Sequence, residues 1–173
     1  MELHFNPHYV SNYVDYIYTQ MNGYFTNTTS KYEECKQRIM DNQHKLCIGI
    51  KPEHIRASLE NSDAIIISNN GFITIKIMED TQILYVELIC ASKGTGSQFM
   101  NILETLAEKI SFTEIKLKSV TNAVKFYLNN GYSCDKLCNM KKSIKNSTSY
   151  GYGGSRKRKY RKSKKRHTRR LRF

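Results

Sequence analysis

Apolar positions in the first third of the chain recur at helical spacing. Val10, Tyr13, Val14, Ile17 and Met21 fall on one face of a helix that Asn22-Gly23 can end. Ser30-Lys-Tyr-Glu33 has the spacing of a capping box, and Tyr32, Cys35 and Ile39 carry a second, more polar helix. Leu46 to Ile50 reads as a short strand, and Pro52 opens a weak helical turn through Leu59.

From Asp63 the period changes to that of strands. Ala64 to Ser68 is β-branched, and Asn70-Gly71 is a two-residue hairpin signal because both tolerate φ > 0. Phe72 to Met78 forms the next strand, and Glu79-Asp80-Thr81 turns the chain. Ile83 to Cys90 is apolar on both faces, as a strand at the centre of a sheet must be. These three strands form an antiparallel meander. Phe99, Ile102, Leu103, Leu106 and Ile110 then mark an amphipathic helix, and Thr113 to Val120 alternates as a strand with one wet face. Strand, helix and strand make a crossover, so its two strands run parallel. A short helix ends at Asn130-Gly131, and residues 132–140 supply the last strand or strand pair. The expected fold is α/β, a mixed sheet built from the meander plus the parallel crossover, with helices on both faces.

Charge separates the chain into parts. The 173 residues carry a net charge of +13, but twelve of the 28 Lys and Arg lie in residues 156–173, which hold no acid. Residues 1–155 are close to neutral. The expected organisation is a domain over 1–142, a Ser/Gly/Tyr-rich hinge over 143–155 and a disordered basic tail over 156–173. Such a tail binds polyanions through counterion release and also reads as a nuclear-localisation signal. No apolar h-region opens the chain and no window reaches the length of a membrane span. Five cysteines, an odd number in largely apolar contexts, read as reduced thiols of a cytosolic or nuclear protein. Cys134 and Cys138 are four apart, with no second Cys/His pair at zinc spacing. The five histidines form no pair, and surface positions are expected for them.

The chemistry concentrates in two stretches, ICASKGTGSQFMNIL (89–103) and SVTNAVKFYLNNGY (119–132). A glycine-rich turn between a strand and a helix aims backbone N–H groups and the positive end of the helix at an anion. A P-loop is disfavoured, since Lys93 precedes its glycine. Together, in this order and spacing, the two stretches resemble the GNAT (GCN5-related N-acetyltransferase) family. The resemblance covers Asp63 to Leu137. It implies acetyl-CoA as cofactor, with its pyrophosphate at Lys93, Gly94, Thr95, Gly96 and Ser97. It implies that main-chain groups of Leu88, Ile89 and Cys90 pair with the pantetheine arm and that Asn122 contacts it. It makes Tyr127 the acid that protonates the departing thiolate, against the plain reading of a helix aromatic packed on the sheet. Phe126, on the face shared by Ala123 and Asn130, is expected to be the deeper of the two rings. Ala91 departs from the family, which carries Gln or Arg there.

Glu87 is the one charged residue of its strand. It is either the base that deprotonates the incoming amine, strengthened by burial in a cleft, or the partner of Lys76 across the hairpin. Cys90 as an acyl-carrying nucleophile is the rival mechanism. The expected activity is N-acetyl transfer to an amine acceptor, small molecule or protein, by direct attack in a ternary complex. The alternative is a module of the same fold that has lost catalysis and associates with nucleic acid through its tail. The tail and the Asn/Ile/Lys/Tyr-rich composition are also similar to those of large DNA viruses.

Overall fold

The computed structural model describes residues 1–9, 11, 13–26 and 31–145. Their elements run β1 (Glu2–Phe5), α1 (Tyr13–Gln20), α2 (Tyr32–Leu46), α3 (Pro52–Asn61), β2 (Ala64–Ser68), β3 (Gly71–Met78), β4 (Ile83–Ala91), α4 (Thr95–Lys109), β5 (Glu114–Lys118), α5 (Val124–Asn129), β6 (Ser133–Cys134) and β7 (Asn139–Ser143). The strands form one sheet in the order β1-β2-β3-β4-β5-β7-β6. Among the described residues only β4 and β5 are parallel neighbours, joined by α4 as the crossover. The mixed α/β sheet with a meander and one parallel unit is as expected from the pattern.

The two faces of the central strands bury separate cores. Ile66, Ile73, Ile75, Leu84 and Val86 pack against Ile17 of α1 and against Phe99, Leu103 and Leu106 of α4. Ile65, Ile67 and Phe72 face the other way, onto Cys35 and Ile39 of α2 and Ile55 and Leu59 of α3. β2 is therefore apolar at successive positions because each face meets a helix layer. Each such side chain removed from water contributes roughly 1.5–3 kcal/mol before the entropy of ordering it is counted.

Several expectations change. The strand β1 was not foreseen, since four residues give too little alternation and its partner β2 lies some sixty residues on; Glu2 stands opposite Ile67. It buries His4, which is 4% exposed and not on the surface. The His4 ring nitrogen sits 3.0 Å from the Glu2 carboxylate, which also accepts a 2.7 Å hydrogen bond from Arg38. Leu46 to Ile50 is no strand: Leu46 is the last residue of α2 and the rest form a turn. The helix face of Cys35 and Ile39 simply continues further than its periodicity suggested. The hairpin between β2 and β3 turns at Asn69-Asn70, one residue early, with Ser68 opposite Gly71. Gly71 has the positive φ expected of it, +157, and is needed for a second reason: a Cβ there would lie 2.4 Å from the carbonyl oxygen of Cys90 on β4. The capping residue of α2 is Lys31, whose N–H is accepted by Glu34 at 3.4 Å. Val10 of the first helix pattern and Ser30 of the capping box lie outside the described residues.

The reduced-thiol expectation fails at two positions. Cys47, in the turn after α2, is joined to Cys90 of β4 by a disulfide, with their Cα atoms 5.1 Å apart. The packing of α2 on the sheet brings them together, and no spacing in the sequence announces it. Cys35, Cys134 and Cys138 are free. No helix among the described residues is long and apolar enough to cross a membrane. The C-terminal end of the fold is Ile144, which packs on the core and donates its N–H to the Thr113 carbonyl at 2.8 Å. Residues 146–173, with the tail and most of the hinge, lie outside the described residues.

Candidate active site

The site begins with an irregularity in β4. Thr74 of β3 pairs with Leu88, but the next residue, Ile75, pairs with Val86. Glu87 is the extra residue of a β-bulge. A bulge bends its strand and reverses the facing of the residues beyond it. Val86 and Ile89 consequently share the α4 face, whereas Leu88 and Cys90 face α2 and α3. Strict alternation would have placed Leu88 with Val86.

Past the bulge β4 leaves its parallel neighbour. The last β4–β5 pair is Val86 with Leu117, yet β4 continues to Ala91. The opened edge forms a cleft of about 420 Å³, walled by Glu87 to Ile89, the Gly94–Gly96 turn, Leu117 to Val120, and Phe126 with Tyr127 of α5. Main-chain groups of β4 on this side have no strand to pair with among the described residues. An extended, amide-bearing chain laid along them would complete the sheet.

The glycine turn closes one end. Gly94 caps α4 at φ +90, a left-handed conformation that a side chain would strain, and no atom lies within 4 Å of where its Cβ would be. The Thr95 N–H is held by the Ser92 carbonyl at 3.1 Å, but those of Gly96 and Ser97 find no carbonyl partner among the described residues. Two free donors at the start of a fifteen-residue helix, with Lys93 exposed beside them, suit a diphosphate. Ala91, where the family pattern has Gln or Arg, is half-buried and lines the cleft. Thr95 is buried and not among the cleft-lining residues, its hydroxyl 3.1 Å from that of Ser92.

Tyr127 is 5% exposed and lines the cleft. Its ring stands edge-on to Phe126 at 4.9 Å and to Tyr132 at 6.0 Å. Burial pushes its phenol up to about 12, so it stays protonated at any physiological pH. Its hydroxyl has no protein partner among the described residues. The expected depths of the two rings are reversed. Phe126 is half-buried with its ring against Gly96, and Tyr127 joins the core. Ala123, Phe126 and Asn130 do share a half-buried face, but the docking of α5 turns the neighbouring Tyr127 side to the core.

The remaining candidates are scattered by the fold. Glu87 lines the cleft but is exposed, so the burial expected of it does not occur. Nor is it opposite Lys76, whose partner is Tyr85. Asn122 is exposed in the 3-10 turn, between cleft-lining Val120 and Ala123 but not in the wall itself. Cys90 is not in the cleft wall; its sulfur lies on the far face in the disulfide, which excludes it as a nucleophile in this state. Sequence reasoning missed Ile50 and Val120, which also line the cleft. Val120 was counted in the strand but lies in the loop beyond β5, and Ile50 arrives through the turn that the disulfide ties to β4.

Comparison with known proteins bears on the family and the fold. A family model described as an acetyltransferase (GNAT) domain matches residues 14–145. No curated protein matches the sequence. Among solved structures, Tetrahymena GCN5 superposes with a TM-score of 0.54 at 14% identity, over 72% of this chain and 96% of that one. An acetyltransferase of the GNAT family from Staphylococcus aureus Mu50 gives 0.50 at 17% identity, over 70% and 98%. The catalytic domain of Tetrahymena GCN5 histone acetyltransferase, solved in complex with coenzyme A, gives 0.49 at 15%, over 73% and 94%. At such identities the likeness is one of fold.

Proposed function

The chain belongs to the GNAT acetyltransferase family, and from that premise we propose that it transfers an acetyl group from acetyl-CoA to a primary amine by direct attack in a ternary complex. The observation that carries the reading is the parting of β4 from β5 with Tyr127 lining the gap. A sheet closed along its whole length would have favoured a module without catalysis.

The residues present fit the cofactor. The opened β4 edge at Leu88, Ile89 and Cys90 offers main-chain groups to the amides of the pantetheine arm. Gly96 and Ser97 N–H groups receive the pyrophosphate, with Lys93 adding charge and Gly94 and Thr95 shaping the turn. Asn122 contacts the arm from the rim. Bound acetyl-CoA supplies an activated acyl carbon on a thiol leaving group. A main-chain N–H of β4 polarises the acyl oxygen. Glu87 accepts a proton from the incoming ammonium, directly or through water, which its exposed position permits. The Tyr127 hydroxyl delivers a proton to sulfur as the thiol departs. Most of the rate enhancement comes from holding amine and thioester together.

Ligand-dependent stability tests the reading. Acetyl-CoA at ~100 times its Kd adds about 2.7 kcal/mol to the folded state. For a chain of this size the full-length protein should then melt roughly 5–10 °C higher. A well-folded sample with an unchanged Tm removes the proposal.

A further inference from the structure

The acceptor side of the cleft has the chemistry of a lysine slot. Ile50, Leu88 and Val120 supply apolar walls, and the exposed carboxylate of Glu87 lines the same cleft. Glu87 is the one acid among the lining residues, and no ion pair among the described residues engages it. Apolar walls beside a single anion match a side chain with a four-carbon stem and a cationic head. Resting on the transferase reading, we infer that the acceptors of this site are lysines of the chain's own C-terminal segment: Lys157, Lys159, Lys162, Lys164 and Lys165.

Where the chain leaves the fold favours this occupant. Ser143 stands opposite Glu114, and Ile144 is bonded to Thr113, so the chain exits beside the start of β5. The cleft opens at the other end of that strand, beyond Leu117. The five residues of β5 span about 17 Å. Lys157 lies twelve residues past Lys145, a contour of up to ~40 Å, and Lys165 lies twenty past it, up to ~65 Å. Each of these contours exceeds the ~17 Å span of β5. A tether longer than its span but of the same order holds its acceptors at an effective concentration in the millimolar range. No separate acceptor protein is needed.

The step balances. The lysine nitrogen forms the bond to the acetyl carbon while the carbon–sulfur bond breaks. The ammonium gives up one proton to Glu87 before attack and a second to water, and Tyr127 supplies one to sulfur and is reprotonated from solvent. Each transfer removes one positive charge from a segment that holds twelve. Polyanion binding by that segment then weakens, and its salt slope falls by ~0.9 for each phosphate left without its lysine. The same cleft would in this way set the charge of the tail.

Peptide mass mapping of the full-length protein after incubation with acetyl-CoA tests the inference. Acetyl groups are expected on the five lysines, at a rate per molecule that is unchanged over a ~100-fold dilution of protein. Tyr127→Phe should reduce the labelling to the non-enzymatic level. A variant with all five lysines changed to arginine should lose the label and keep its thermal response to acetyl-CoA. A readout without turnover is zero-length carbodiimide coupling, which should join Glu87 to the segment 156–173. An unlabelled segment in protein that acetyl-CoA still stabilises overturns the inference and spares the transferase reading. A rate proportional to protein concentration, or cross-links from the segment that avoid Glu87, also overturns it. Absence of any thermal response brings down the transferase reading itself.

Discussion

Tyr127→Phe should lower kcat for acetyl transfer by ~10²-fold or more and leave the Kd of acetyl-CoA within about twofold of its original value. The substitution deletes one oxygen and keeps the ring that packs between Phe126 and Tyr132. General acid catalysis is worth ~10²–10⁴-fold, and the departing thiolate has no other hydroxyl donor on α5 facing the cleft. The pH profile carries the same claim. The phenol is raised to about 12 from the usual tyrosine value of 10 by burial. The protonated form is thus favoured in the folded state and is lost only as pH climbs from 10 through about 12. Activity should rise with pH as the acceptor amine deprotonates, with no loss attributable to Tyr127 below pH 10. Steady-state kinetics of the two proteins across pH decides this. Equal kcat values would take the proton-donor role from Tyr127 and leave it a core aromatic.

Reducing the Cys47–Cys90 disulfide should lower the Tm by about 10 °C. The bond closes a loop of 43 residues that includes α3, β2 and β3. Loop-closure entropy assigns such a crosslink up to about 4 kcal/mol. At 2–4 °C per kcal/mol for a chain of this size, the shift is readily measured. Cys47→Ala should melt at the lowered temperature and no longer respond to dithiothreitol. A further effect should reach the cleft. The turn holding Cys47 also carries Ile50, and Cys90 lies between Ile89 and Ala91; Ile50, Ile89 and Ala91 all line the cleft. Acetyl-CoA should bind the reduced protein more weakly. Unchanged melting on reduction would mean that the two cysteines contribute only as packed thiols.

How much of this was legible depended on the range of the forces involved. The central strands and α4 carry their own periodicity, because each residue's neighbours on the helix or strand set its face. AIIIS, FITIKIM and ILYVELIC declared a central sheet for that reason, and the glycine turn declared a helix N-terminus. The features that escaped depend on contacts distant in the sequence. The bulge at Glu87 appears only in the register against β3. β1 is defined by its pairing with β2, and the disulfide by the docking of α2. The depths of Phe126 and Tyr127 were misjudged because the docking of α5, not its own spacing, decides which side of the helix meets the core. Gly71 was correctly marked for a positive φ, which it has at +157. Its second need is the close carbonyl of Cys90, which no local turn rule contains. The cleft itself was legible only through family resemblance, since the parting of two strands leaves no trace in either strand's pattern.

The central claim is that the opened edge of β4 and the N-terminus of α4 together hold acetyl-CoA. Amide hydrogen exchange with and without acetyl-CoA tests it most directly, because the groups said to bind are themselves the reporters. Protection should increase at Leu88 to Ala91 and at Gly96 and Ser97, with smaller changes in β2 and α2. Protection that leaves both stretches unchanged while acetyl-CoA demonstrably binds would contradict the account and place the cofactor elsewhere on the fold.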